Sequence, residues 1–205
     1  MKNEVLTLIS EHHSDPPERI RHSGRAIIIK DNKILLSHEV NTNIYMSPGG
    51  GLEENEALSE CCVREVEEET GLIVKTTSEE FITVEEYCFE TLYISHYFPC
   101  EVTGTGKSAL TPTEIEHGIT AKWVEIEKAL EIFGRYEEMR EDWRSLYLRE
   151  FSVLNKYLEK SNQQWWLLFC ITLYYLVSFY AFSSRALFFL TFHKRLYCDL
   201  LLKSE

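Results

Sequence analysis

The stretch from Gly49 to Val74 constrains this chain more than any other, because it places eight glutamates among 26 residues. Asn55 is a favourable residue to begin a helix, and Gly71 is a favourable residue to end one. The spacing between them predicts a helix of about four turns. A helix this acidic is either a solvated surface or one side of a cation site.

The angular positions of the side chains on this helix help to decide between these alternatives. At about 100° per residue, one stripe is apolar and predicts the side that faces the core: Leu58, Cys61, Cys62 and Val66. Three carboxylates continue the same side one turn later: Glu65, Glu68 and Glu69. Inward carboxylates repel one another and resist desolvation unless divalent cations lie among them, and such oxygen ligands suit Mg²⁺ or Mn²⁺.

The loop before the helix strengthens the interpretation as a cation site. It reads Ser47-Pro48-Gly49-Gly50-Gly51. Consecutive glycines allow the backbone to approach a ligand closely. A backbone carbonyl from this loop is therefore a candidate to complete the coordination of a metal ion.

The charge distribution excludes one class of partner. The chain has 205 residues and a net charge of −12, and the segment from Ser161 to Glu205 is positive, so residues 1–160 are even more acidic. Such a domain is not expected to bind nucleic acid through a basic face. The six cysteines show no metal-site spacing and the N-terminus has no apolar signal core, which predicts a reduced, cytoplasmic setting.

Strand and helix patterns are mixed along the chain without a regular alternation, which favours an α+β fold with a mixed sheet. Asp31-Asn32 joins two β-rich runs and predicts a hairpin. We expect three parts: an N-terminal arm or short helix over 1–21, a main domain over 22–160 and a hydrophobic C-terminal extension over 161–205.

The C-terminal extension has three open interpretations. Residues 165–182 carry no charge, and 165–192 is a candidate membrane segment interrupted by Arg185. Its composition is also that of an accidental extension past an original stop. The third interpretation is a helix that packs on the core or joins two copies in a homodimer. In each case the extension is expected to be dispensable for chemistry.

The acidic helix and its loop together resemble a known family pattern. Gly50, five residues, Glu56, seven residues and then Arg64-Glu65-Val66-x-Glu68-Glu69-x-Gly71-Leu72 match every fixed position of the Nudix box. The resemblance to MutT-like Nudix hydrolases extends over about residues 22–158.

The resemblance implies an α/β/α sandwich around a mixed sheet. It also implies hydrolysis of a nucleoside diphosphate linked to another moiety, by attack of water on phosphorus with Mg²⁺ or Mn²⁺ bound. The box matches imply a ligand set: Glu65, Glu68, Glu69 and the Gly49 carbonyl. They imply supporting roles for Gly50 in the loop and for an ion pair between Glu56 and Arg64.

The base that accepts the proton of the attacking water varies in this family. The candidates are a box glutamate, Glu65 or Glu68, and the late-loop pair Glu114 and Glu116. The substrate is expected to be a nucleotide or dinucleotide. Tyr45 and Tyr87 are weak candidates to contact it, since a strand tyrosine such as Tyr87 can equally pack in the sheet.

A non-catalytic nucleotide-binding or regulatory module on the same fold is the alternative to an enzyme. Loss of box glutamates would favour that alternative, and none is lost in this chain.

Overall fold

The computed structural model describes residues 4–181, within which the chain forms ten strands and four α-helices. The strands are β1 (Glu4–His13), β2 (Arg19–Ile27), β3 (Ile29–Lys30), β4 (Lys33–Glu39), β5 (Ile44–Met46), β6 (Gly49–Gly51), β7 (Leu72–Thr76), β8 (Ile82–Phe89), β9 (Thr91–Thr105) and β10 (Ile119–Glu125). The helices are α1 (Leu58–Thr70), α2 (Pro112–His117), α3 (Ile126–Gly134) and α4 (Glu141–Ala181). Contacts divide the chain into two units, residues 1–155 and residues 156–205.

Two sheets organise the first unit. The larger has the order β1-β8-β9-β2-β6, with β7 paired to the far end of β9. It is mixed, because β1 pairs with β8 and β2 with β9 in parallel while β8 and β9 are antiparallel. The smaller sheet has the order β10-β4-β3, with β5 paired to β4. The predicted α+β class with a mixed sheet is confirmed.

The hairpin around Asp31-Asn32 is confirmed, and its turn has a clear physical cause. Both residues have positive φ, 50° and 60°. A two-residue turn with positive φ at both positions matches the twist of antiparallel strands, and Asp and Asn tolerate it better than most residues. The turn joins β3 to β4, whereas the preceding residues of the predicted run belong to β2 in the larger sheet.

The prediction of a short helix near the N-terminus is wrong. Residues 4–13 form β1, which lies parallel to β8 at the edge of the larger sheet. Leu6 aligns with Val84 in this pairing. The segment is rich in β-branched and aliphatic residues, and a parallel partner 75 or more residues away was not visible in the local pattern.

Helix α1 packs directly on the larger sheet. A Cβ at Gly24 in β2 would lie 2.6 Å from the carbonyl oxygen of Leu58, so only glycine permits this approach. The predicted apolar stripe is confirmed, since Cys61, Cys62 and Val66 are buried. The core between α1 and the sheets consists of Ala26, Ile28, Leu35, Cys62, Val66, Val74, Phe98 and Cys100.

A buried network of charges joins the start of α4 to the larger sheet. Arg149 donates to Glu86 at 2.8 Å and to Glu150 at 3.1 Å, and all three side chains are buried. Glu150 also accepts hydrogen bonds from the Tyr97 hydroxyl at 2.9 Å and the Ser47 hydroxyl at 2.6 Å. The network therefore ties α4 to the loop that leads into the three glycines.

Helix α4 begins at Glu141 and continues to Ala181, so it extends from the main domain into the predicted C-terminal extension. Among residues 4–181, none of the helices has the length and hydrophobicity that a membrane span requires. The candidate membrane segment over 165–192 continues past residue 181, and that part of the prediction lies outside the described residues.

Replacing Arg149 with Met tests the buried network. The substitution leaves the carboxylates of Glu86 and Glu150 buried without their cation, which is expected to lower the free energy of unfolding by about 3–5 kcal/mol. Urea unfolding of the purified protein measures the change, and failure to obtain folded protein counts as the same outcome.

Arg135→Met is the matched control, because Arg135 pairs with Glu131 on the exposed surface. Its loss should cost about 1 kcal/mol or less. Equal effects of the two substitutions would contradict a structural role of the buried network.

Candidate metal centre

Helix α1 begins later than the sequence predicted. Ala57, not Asn55, is the N-cap residue. The backbone N–H of Ala57 donates a hydrogen bond to the Glu60 carboxylate at 3.0 Å. Asn55 lies in the preceding turn with φ of 64°. The C-terminal end agrees with the prediction. Gly71 has a left-handed backbone conformation, and its N–H donates to the Glu67 carbonyl at 2.8 Å.

Three carboxylates converge at the end of α1. Glu65 and Glu69 from α1 and Glu114 from α2 each present an oxygen within 4.8 Å of the others, and all three side chains are partly buried. Glu114 is oriented by its own helix start, where its Oε2 accepts from the backbone N–H of Thr111 at 2.7 Å. Oxygen ligands in this number and spacing fit a divalent cation such as Mg²⁺ or Mn²⁺.

Burial makes this carboxylate group electrostatically unfavourable on its own. Desolvation raises the pKa of Glu69 to about 7, although the Ser37 hydroxyl and nearby Arg25 oppose the shift. Desolvation also raises the pKa of Glu65, against the opposing effect of the Arg64 guanidinium. A bound cation would favour the ionised form of both carboxylates.

The glycine loop lies against these carboxylates. The backbone N–H of Gly49 donates to Glu69 at 3.3 Å, and Gly49 has φ of 146°. A Cβ at Gly50 would overlap the Glu65 carboxylate, so a larger residue there would displace this carboxylate from its present position. Gly49 borders the same cavity as the three carboxylates, and its carbonyl remains a predicted ligand.

Arg64 connects the loop to the helix. Its Nε and Nη2 donate to the two oxygens of Glu56 at 2.8 and 2.9 Å, and Nη2 also donates to the Gly51 carbonyl at 3.2 Å. The hydrogen bonds from Arg64 hold the pKa of Glu56 below its usual value. The structure thus contains the ion pair that the box pattern implied.

Glu68 differs from the other box glutamates. Its side chain is 39% exposed, and its Oε2 accepts from Arg64 at 3.0 Å. It borders the cavity but is not among the converging carboxylates.

The other late-loop candidate, Glu116, is exposed, and its backbone carbonyl accepts a hydrogen bond from the Asn41 side chain. Of the late-loop pair, only Glu114 reaches the group.

The two candidate tyrosines lie elsewhere. Tyr45 stacks on His38 with ring centroids 4.1 Å apart, and Tyr87 makes an edge contact with His13. Neither is among the residues that line the cavity next to the carboxylates.

This cavity has a volume of about 590 Å³ and is lined by side chains of both charges. Its lining includes the carboxylates of Glu65, Glu69 and Glu114 and the guanidinium groups of Arg21 and Arg25 from β2. Arg25 donates to the Ser47 carbonyl at 3.1 Å, whereas its buried Nε has no hydrogen-bond partner among the described residues. A buried donor of this kind indicates that a ligand oxygen or water belongs beside it.

The two cavity arginines of β2, Arg21 and Arg25, and their aromatic neighbour were missed by sequence reasoning. Tyr93 of β9 lies beside Arg21 through the parallel pairing of β2 with β9, and Tyr93 also lines the cavity. A signal was present in the alternation of Arg21, Ser23 and Arg25, because a period of two on a strand directs all three to one face.

Comparison with known proteins identifies the family. Residues 20–147 match the family model of the NUDIX domain, which covers more than half of the chain. The chain therefore belongs to the Nudix family and has the Nudix fold.

The individual relatives match only part of this chain or share a low sequence identity with it. The chain is 49% identical over 55 residues to an ADP-ribose pyrophosphatase of Methanocaldococcus jannaschii, a match that covers 25% of this chain and about a third (32%) of that relative. Among solved structures, a NUDIX hydrolase from Nitrosomonas europaea has a TM-score of 0.49 and 24% identity, over 65% of this chain and 88% of that one. A UDP-X diphosphatase has a TM-score of 0.44 and 22% identity, over 52% and 51%.

Glu114→Gln tests the composition of the candidate metal centre. The amide can still accept from Thr111, but the substitution removes one charge from the carboxylate group. We expect Mn²⁺ to bind about 10-fold or more weakly, measured by isothermal titration or by electron paramagnetic resonance of free Mn²⁺.

Glu116→Gln is the matched control. Glu116 is an exposed residue of the same helix, and the substitution removes the same charge from it. Its Mn²⁺ affinity should equal that of the unmodified protein. If both substitutions weaken Mn²⁺ binding equally, the effect is one of overall charge and Glu114 is not a ligand.

Proposed function

We propose that this protein is a hydrolase that cleaves the pyrophosphate of a nucleoside diphosphate linked to another moiety, with Mg²⁺ or Mn²⁺ bound. The observation that carries this proposal is the convergence of Glu65, Glu69 and Glu114 in one cavity with Arg21 and Arg25. Bound cations and guanidinium groups in one cavity suit a substrate with several adjacent negative charges.

The carboxylate group would hold the cations, with the Gly49 carbonyl as a further ligand. When bound, divalent cations neutralise a pyrophosphate and lower the pKa of a coordinated water molecule. The cavity is large enough for a nucleotide-sized ligand, and arginine side chains pair with phosphate oxygens through two parallel hydrogen bonds.

The chemical step requires one proton acceptor from the chain. The water oxygen forms a bond to phosphorus, the bond from that phosphorus to the bridging oxygen breaks, and the water proton passes to a carboxylate. Glu114 is the late-loop candidate, oriented by two hydrogen bonds from Thr111, and Glu65 is the box candidate. Whichever of them accepts the proton does so with the carboxylate oxygen that does not hold a cation. The products are two phosphate monoesters.

Arg64 would act by positioning. Its bonds to Glu56 and Gly51 fix the loop, and its bonds to Glu65 and Glu68 orient the first of these at the metal centre. Because Glu65 and Glu69 converge with Glu114, whereas Glu68 is 39% exposed and lies outside this group, we favour Glu65 and Glu69 as ligands that contact the cation before any rearrangement. Glu68 remains a predicted ligand that would have to turn toward the group.

A substrate panel tests the proposed function. The purified protein is incubated with ADP-ribose, a nucleotide sugar, a dinucleoside polyphosphate and nucleoside triphosphates, with Mg²⁺, Mn²⁺ or EDTA. We expect turnover of a linked nucleoside diphosphate to two monophosphates and none with EDTA. Tight binding of these compounds without product would instead support the non-catalytic nucleotide-binding module.

Glu65→Gln tests the role of the carboxylate group in turnover. Removing one ligand charge should lower kcat at least about 100-fold, which corresponds to about 3 kcal/mol of transition-state stabilisation. Glu54→Gln, in the exposed loop before α1, is the control and should retain full activity. If the Glu65→Gln protein is fully active and binds Mn²⁺ with unchanged affinity, Glu65 is not a ligand of the metal centre.

Arg21→Gln tests whether the cavity arginines bind a phosphate of the substrate. If Arg21 holds a phosphate in both the bound substrate and the transition state, KM should rise about 10-fold while kcat changes little. Arg19→Gln is the control, because Arg19 lies two residues earlier on β2 and pairs with Glu90. Steady-state kinetics of the Arg21→Gln and Arg19→Gln proteins measure the difference. An unchanged KM in Arg21→Gln would show that the substrate binds elsewhere in the cavity.

A further inference from the structure

Helix α2 carries Glu114, although its own packing does little to fix its position. It spans only the six residues Pro112–His117, and none of their side chains is buried. Ile115, its aliphatic residue, is 64% exposed. A helix of this length is not stable by itself, and this one gains little from burial of an apolar face. Polar contacts must therefore determine where α2 lies.

The contacts at the start of α2 act mainly within the helix. The Thr111 hydroxyl accepts from the backbone N–H of Glu114 at 3.3 Å and donates to the Glu114 carboxylate at 2.8 Å. These bonds orient the carboxylate relative to its own first turn. Before Thr111, the N–H of Ala109 donates to the Glu68 carbonyl of α1 at 2.9 Å, which ties the incoming loop to α1. The other end of α2 needs a separate anchor.

The turn after β4 supplies this anchor through three N–H donors. The side-chain amide of Asn41 donates to the Glu116 carbonyl at 2.6 Å, and its backbone N–H donates to the His117 carbonyl at 3.4 Å. The N–H of Val40 donates to the Gly118 carbonyl at 3.3 Å. The last carbonyls of a helix have no partner within it, so donors from outside satisfy them. Asn41 supplies two of these three donors, and its side-chain amide makes the shortest bond.

Strand β4 also reaches the carboxylate group itself. The hydroxyl of Ser37, four residues before Asn41, donates to Glu69 of α1. The buried Glu39 lies between these two residues in the sequence, and its Oε1 is 3.5 Å from Nδ1 of His117. One strand and its turn therefore contact Glu69 at one point and the end of α2 at another. The separation between the carboxylates of the two helices depends on both contacts.

We propose that Asn41 is a positioning residue for the metal centre. Its side-chain amide fixes the C-terminal end of α2 and thereby holds Glu114 beside Glu65 and Glu69. Asn41 is exposed and is not among the residues that line the cavity, so it acts only through Glu114. The inference rests on the proposed function, because the position of Glu114 matters only where the carboxylate group binds cations. Without the amide, α2 can pivot about Thr111, and the third carboxylate is no longer held within reach of the other two.

Asn41→Ala tests this role in the full chain. We expect Mn²⁺ to bind about 5-fold more weakly, a change of the size that the loss of one hydrogen bond produces, and kcat to fall by a similar factor. Asn155→Ala is the matched control, because the Asn155 amide donates to the Phe151 carbonyl within α4 at 2.9 Å and the substitution removes a bond of the same kind. The Mn²⁺ affinity and kcat of the control should equal those of the unmodified protein.

A double-substitution cycle with Glu114→Gln shows whether Asn41 acts through Glu114. Positioning predicts that Asn41→Ala weakens Mn²⁺ binding in the unmodified background and adds nothing in the Glu114→Gln background, since residues coupled through one contact are not additive. A general effect of Asn41 on the domain would instead weaken binding by the same factor in both backgrounds. That result, or an unchanged Mn²⁺ affinity in Asn41→Ala, overturns the proposal. The cycle is measured by Mn²⁺ binding and needs no turnover, so its outcome is separate from that of the substrate panel that tests the hydrolase activity.

Discussion

Repulsion among three desolvated carboxylates is the constraint on which the rest of this structure depends. Glu65, Glu69 and Glu114 present oxygens within 4.8 Å of one another, and burial raises the pKa of Glu69 to about 7. Such a group is stable as an anionic cluster only with positive charge beside it. The chain supplies part of that charge through Arg64 and Arg25, and we propose that divalent cations supply the remainder.

The scaffold around the carboxylates limits their freedom to move apart. Gly24 brings α1 against β2, and Gly50 allows the loop to touch Glu65. Arg64 bonds the loop to the helix, and Glu150 bonds Ser47 at the start of the same loop. Each of these contacts lowers the entropy of the loop before any ligand arrives, so binding energy is not consumed in ordering it.

Local patterns predicted what depends on local contacts. Spacing and backbone preference within a few residues are enough to predict three features. These are the helical face that carries Glu65 and Glu69, the end of α1 at Gly71 and the turn at Asp31-Asn32. The start of α1 was missed, because the Glu60 side chain caps Ala57 and competes successfully with Asn55.

Features that depend on distant pairing could not be predicted in this way. Glu114 and Glu116 are equivalent in the sequence, and only the direction of α2 brings the first to the carboxylate group. The neighbourhood of Arg21 and Tyr93 follows from the parallel pairing of β2 and β9, strands about 70 residues apart. The strand at residues 4–13 likewise depends on its partner β8.

The most direct test of the central claim is anomalous scattering from a crystal of the protein grown or soaked with Mn²⁺. We predict an anomalous difference peak within about 2.5 Å of a carboxylate oxygen of Glu65 and of Glu69, with Glu114 beside the same or an adjacent peak. Full-occupancy Mn²⁺ peaks elsewhere, with none among these three carboxylates, would contradict the account.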